Sequence, residues 1–150
     1  MTLGENFCAH VEWKLFEWGG TTHRLPQHYK FPKDEFEDII DKWFLGDVRQ
    51  GISPLVPLKK DEFGSFCANN RRRYNECKRL MDEVEKLGRI CDAWQINDEQ
   101  WTVQSVSRLK DAIRPEFSFS ARSFQNSWLT MYRKVLKRNV ERASRSFSSN

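Results

Sequence analysis

Residues that break, staple or span are scarce in this sequence. Gly and Pro number only 7 and 5 in 150 residues, so the chain is neither a disordered tail nor a low-complexity segment, and most of it can pack. The four cysteines, Cys8, Cys67, Cys77 and Cys91, have no close pairing and follow opening residues with no apolar leader. That argues against a secreted disulfide scaffold; reduced thiols in a nuclear or otherwise intracellular protein are expected. No apolar run approaches the ~20 residues that cross a bilayer, because charges interrupt each one.

The usual signatures of chemistry are missing too. His10, His23 and His28 form no H-x-x-x-H pair and the cysteines no C-x-x-C pair, so no metal is expected. There is no G-x-S-x-G, no glycine-rich phosphate loop and no cysteine with an evident histidine partner. The acid pairs Asp34-Glu35 and Asp61-Glu62 precede expected helix starts, where the helix dipole accounts for them. Neither an enzyme nor a cofactor is expected.

What the sequence does hold is aromatic weight, with 6 Trp and 11 Phe, enough for one domain to build a core. Val11, Trp13 and Leu15 alternate ahead of Trp18-Gly19-Gly20, and Thr21 to Leu25 can return beside them, which predicts a β-hairpin with Trp18 the most exposed tryptophan. Pro26 and Pro32 then mark a linker. Past Pro32 the period becomes helical. Phe36, Ile39, Ile40, Trp43 and Phe44 share a face, and Gly46 is expected to end that helix. Gly51, Pro54 and Pro57 break the next stretch into an ordered loop.

A second helix is expected from near Arg72 to about Cys91, burying Cys77, Leu80, Met81, Val84, Leu87 and Cys91. A third is expected to open at Asn97, with Gln100 as its capping partner, burying Trp101, Leu109, Ala112 and Ile113 before Pro115 stops it. Periodicity leaves Glu116 to Asn126 undecided between loop and short helix. A last helix, from Asn126 or Ser127 to Arg145, places Trp128, Leu129, Tyr132, Val135, Leu136 and Val140 on its apolar side, and SRSFSSN reads as a frayed end. The expected fold is mainly α: a compact domain of about four helices with an N-terminal β-hairpin, divided as 1–33 hairpin and linker, 34–147 helical, 148–150 tail.

Charge is segregated along the chain. Residues 1–75 hold 11 basic and 11 acidic groups, and residues 76–150 hold 14 and 10. The last helix carries Arg133, Lys134, Lys137, Arg138, Arg142 and Arg145 on its polar side with Glu141 alone opposing them, net +5 over residues 128–145. Such a face can meet several phosphates and release their counterions; a merely solvated face normally mixes signs. A second patch, Asn69-Asn70-Arg71-Arg72-Arg73-Tyr74-Asn75, leads to Lys78 and Arg79. Its cations can reach phosphate or guanine edges and its amides adenine. An ordinary basic loop capping a helix would look the same.

The order Ile39, Trp43-Phe44, Gly46, Gly51-Ile52-x-Pro54-Leu55, then Asn70-Arg71-Arg72-Arg73-Tyr74 leading to Lys78-Arg79-Leu80-Met81 resembles the DNA-binding domain of fungal transcriptional activators of glycolytic-enzyme genes and of Crypton-type mobile elements. The likeness spans Phe36 to Val84. Trp18-Gly19-Gly20, His23-x-x-Pro26 and Phe31-Pro32 are more loosely similar to uncharacterised oomycete proteins. The first resemblance implies a helical module in which Arg71, Arg72, Arg73, Lys78 and Arg79 approach DNA, although Glu76 and Glu83 interrupt that helix and the terminal basic helix lies outside the likeness.

The expected function is therefore double-stranded DNA binding, in transcription regulation or a mobile-element context, through Arg71, Arg72, Arg73, Asn75, Lys78, Arg79, Arg133, Lys134, Lys137, Arg138, Arg142 and Arg145. Two alternatives stay open. The basic face could meet an acidic protein, or the acidic 34–41 helix of a second copy. Tyr29, Phe31 or Trp18 could stack on the unpaired bases of RNA.

Overall fold

Gly19 and Gly20 take φ of 63° and 79°, the backbone that a tight hairpin turn needs and glycine adopts freely. They join β1 (Phe16–Trp18) to β2 (Thr21–His23) in an antiparallel pair, Phe16 opposite His23 and Trp18 opposite Thr21. The computed structural model describes residues 13–55, 68–94, 101–118 and 122–148. Val11 lies outside them, and Leu15 precedes the strand, 67% exposed; the glycine pair, not the alternation, sets where pairing starts. Trp18 is half-buried, against expectation. Its indole N–H donates to the Leu25 carbonyl at 2.8 Å, and its ring stacks on His23 with centroids 3.5 Å apart.

The fold is mainly α, as the periodicity predicted. Among the described residues four helices follow the hairpin: α1 (Phe36–Phe44), α2 (Ala68–Ile90), α3 (Val103–Ile113) and α4 (Trp128–Ser148). None is long and apolar enough to cross a membrane. The undecided stretch contains 3₁₀ turns at Arg114–Phe117 and Ser123–Gln125.

Several boundaries move. Helix α2 starts at Ala68, four residues ahead of Arg72, which draws Asn69 and Asn70 into its first turn. It ends at Ile90, so Cys91 falls in the following turn and is exposed instead of joining the core. Helix α3 opens at Val103 behind Thr102, whose hydroxyl accepts from the Ser105 amide at 3.1 Å while the Ser105 hydroxyl accepts from the Thr102 amide at 2.8 Å. Trp101 thus precedes α3, and Asn97 and Gln100 lie outside the described residues. Helix α4 runs on to Ser148 through the stretch expected to fray. Serine forms helix only a fraction of a kcal/mol less well than alanine, too little to stop a helix already under way.

Helix α1 is the centre of the core. Phe36, Ile39, Ile40, Trp43 and Phe44 are all buried, each worth roughly 1.5–3 kcal/mol over exposure. Phe36 packs on Phe117 and Phe124, and Phe44 meets Trp94 and Trp101. No side chain caps α1. Instead the Phe36 amide donates to the Asn126 carbonyl at 2.7 Å, and the Trp128 amide donates to the Asp34 carbonyl at 3.0 Å. Each helix start satisfies an amide of the other, which would otherwise be orphaned. Helix α2 rests on α3 at Gly88, where a Cβ would stand 2.7 Å from Leu109 Cδ1.

Candidate functional site

Helices α2 and α4 lie side by side and run the same way. Phe31 meets both Tyr74 near the start of α2 and Trp128 at the start of α4. Further along, Asn139 Nδ2 donates to Glu83 Oε1 at 3.0 Å. Both inner faces are buried, through Tyr74, Cys77, Leu80, Met81 and Val84 on α2 and Trp128, Met131, Tyr132 and Val135 on α4. Helical spacing then turns the two sets of cations outward from neighbouring helices.

The predicted residues divide into two kinds. On α2, Asn75, Lys78 and Arg79 are exposed and Arg71 half-exposed; Lys78 interacts electrostatically with Asp82, but among the described residues none of the four forms a hydrogen bond or salt bridge. On α4 the same is true of the exposed Arg133, Lys137 and Arg142. Other cations serve the fold. Arg73 Nη1 binds Glu76 Oε1 at 2.9 Å and Arg72 Nε lies 3.8 Å from the same carboxylate. Arg138 donates to the Glu116 carbonyl at 2.7 Å, its guanidinium 5.8 Å from the centre of the Phe117 ring. Lys134 is half-buried and Arg145 exposed. The α4 apolar side is shorter than expected, since Leu136 and Val140 are 46% and 62% exposed.

Asn70 is unavailable to a base. Its Oδ1 accepts from the Phe31 amide at 2.7 Å and its Nδ2 donates to the Tyr29 carbonyl. Trp128 Nε1 donates to the Pro32 carbonyl at 2.7 Å. These two side chains fasten the Tyr29–Pro32 linker across the first turns of α2 and α4. The linker brings Lys30 and Lys33 to the basic end of the helices, both exposed and without a partner among the described residues. Sequence reasoning missed them; their only signal was a pair of lysines flanking Phe31-Pro32.

No family model, curated protein or solved structure matches the chain.

The remaining geometry bears on the alternatives. Phe31 is buried and offers no free ring face to a base, and one face of the half-buried Trp18 is taken by His23. Tyr29 is largely buried, and that burial, followed by the nearby Asp34 carboxylate, pushes its phenol well above the ordinary range. The acidic 34–41 helix is compensated within the chain. Lys42 Nζ binds Asp34 at 2.6 Å, and the buried Lys110 Nζ lies 2.8 Å from Asp41 and 3.7 Å from Glu37. Burial raises the Cys77 thiol well above its usual value, which suits a small core hydrophobe. Burial also raises the Asp82 carboxyl, against the opposing pull of Lys78. Among the described residues no three His, Cys, Asp or Glu side chains gather where they could hold a metal ion.

Proposed function

We propose that the chain binds double-stranded DNA through the outward faces of α2 and α4. One observation carries this reading: two helices packed in parallel each present exposed or half-exposed cations that form no hydrogen bond or salt bridge among the described residues, Arg71 and Arg79 on the first and Arg133, Lys137 and Arg142 on the second, with Lys78, drawn only towards Asp82, beside them. Cations left unpaired on adjacent helices repel one another, and a row of phosphates relieves that repulsion while releasing counterions. The resemblance of Phe36 to Val84 to fungal activator and Crypton DNA-binding domains supports the same assignment, and with it a nuclear role in transcription regulation or a mobile element. The second half of α2, with Asp82, Glu83 and Glu85, points away from this role, so contact is assigned to its first turns.

The test is fluorescence anisotropy with a mixed-sequence duplex across a salt series. Six engaged phosphates give a log-log slope of about −5. Absence of binding at low salt, or binding insensitive to salt, would overturn the proposal.

A second reading is an acidic amphipathic segment of another protein. It is favoured by exposed Leu136 and Val140 beside the same cations, and binding of that kind would fall when Leu136 and Val140 become Ser while duplex binding held.

A further inference from the structure

A cavity of about 750 Å³ opens where the linker crosses the first turns of α2 and α4. Its wall includes His28, Lys30, Lys33, Asn69 and Arg73, and no carboxylate lines it among the described residues. In a chain with 21 acidic residues, three cations, Lys30, Lys33 and Arg73, around one space with no carboxylate among its described lining residues form a positive field, offset in part by Glu76 on Arg73. Lys30 and Lys33 have no partner among the described residues, and Arg73 is half-exposed although it binds Glu76. At α4 the Ser127 hydroxyl already accepts from the Thr130 amide at 3.2 Å, so the attraction there rests on the side-chain cations.

The cavity is also held in shape. Asn70 fixes both the Tyr29 carbonyl and the Phe31 amide, and Trp128 fixes the Pro32 carbonyl. Lys30 and Lys33 therefore stand on a segment anchored at three backbone positions, which lowers the ordering cost of binding. The volume falls among those of small-molecule sites, large enough for a nucleotide.

We propose that this cavity binds a phosphate ester, with Lys30, Lys33 and Arg73 as its cationic contacts. The ester is supplied either by the backbone of a bound duplex or by a free nucleotide. The duplex arm rests on the DNA-binding reading above and adds to it a third anchor at the common end of the two helices.

Calorimetric titration with adenosine 5′-monophosphate and anisotropy with a duplex, each on the intact chain, test it. The variants are Lys30→Ala with Lys33→Ala, Lys30→Arg with Lys33→Arg, and Arg49→Ala with Lys86→Ala, two exposed cations outside the cavity and the proposed duplex contact, as the control; thermal melts establish that each folds. Nucleotide affinity should fall about a hundredfold in the first, be retained in the second and stay unchanged in the control, since each of the two lost charge-assisted contacts costs about tenfold. The duplex salt slope should shallow by about 2 in the first variant.

Nucleotide bound with no duplex bound would uphold the cavity as a free phosphate-ester site and sink the DNA reading. Duplex bound with unchanged affinity and slope in Lys30→Ala/Lys33→Ala, and no nucleotide bound by the wild type, would overturn the cavity and leave the DNA reading standing. If wild type binds neither, both fail.

Discussion

Trp128 donates its indole N–H to the carbonyl of Pro32, 96 residues away in sequence, at 2.7 Å. Through that bond the first residue of the last helix holds the linker that carries Lys30 and Lys33. Phe31 packs edge-on against the same indole, with centroids 5.5 Å apart. Trp128→Phe keeps an aromatic ring but removes the donor and some volume. A loss of about 2 kcal/mol is expected, roughly 1 from the bond and the remainder from the space left behind, read as a fall in the urea midpoint. An unchanged midpoint would mean that the bond does not fasten the linker.

Two cationic positions on α4, Lys137 and Arg138, should behave differently although they are neighbours in sequence. Lys137 is exposed and unpaired, whereas Arg138 binds the Glu116 carbonyl at 2.7 Å. Lys137→Ala should weaken duplex binding and shallow the salt slope by about 1 while leaving the melting temperature within error. Arg138→Ala should lower the melting temperature, at a cost of about 1 kcal/mol for the bond and packing lost. Equal effects of both variants on affinity, with no difference in melting, would remove this distinction.

Cys77 is buried and its thiol is raised by burial, so in the folded chain it stays protonated at pH values where the unfolded thiol ionises. The folded state then binds more protons than the unfolded one, and stability must fall as pH rises above the unfolded thiol value of about 8.5. Cys77→Ala should be less stable at neutral pH but should lose less between pH 8 and 10, measured by urea unfolding at each pH. Maleimide labelling of the native chain, mapped by peptide mass, should modify exposed Cys91 and spare Cys77.

Gly46 and Gly19 both have positive φ, 84° and 63°, but different surroundings. A Cβ on Gly46 would stand 2.7 Å from the Ile52 carbonyl oxygen and 2.8 Å from the Trp13 ring, whereas one on Gly19 would meet nothing within 4 Å. Gly19→Ala should cost about 1 kcal/mol of backbone strain, and Gly46→Ala about 2–4 kcal/mol because overlap adds to strain. Comparable unfolding midpoints for the two variants would contradict the close approach at Gly46.

Much of this was written locally. The 3.6-residue spacing of Phe36, Ile39, Ile40, Trp43 and Phe44 predicted a helix and its buried face, and the structure has both. The same spacing separated Cys77, Leu80, Met81 and Val84 from Asn75, Lys78 and Arg79. Local patterning failed where a contact crosses the chain. The Asn69-to-Asn75 patch read as one basic surface, yet Asn70 is taken up by Tyr29 and Phe31, and the Tyr74 ring stacks on Trp43. Leu136 and Val140 share a stripe with Leu129 but stay exposed, because a helix's apolar side is buried only as far as its neighbours extend.

The sequence by itself determined the helical class, the glycine hairpin and which face of each helix is apolar, since these depend on residues a few positions apart. Tertiary structure decided which cations are paired within the fold and which stay exposed, and it brought Lys30 and Lys33 to the common end of α2 and α4. The physical reason is range. Helical periodicity is a property of neighbours along the chain, whereas an ion pair or a hydrogen bond depends on distance in space, and Pro32 and Trp128 become neighbours only once the chain has packed.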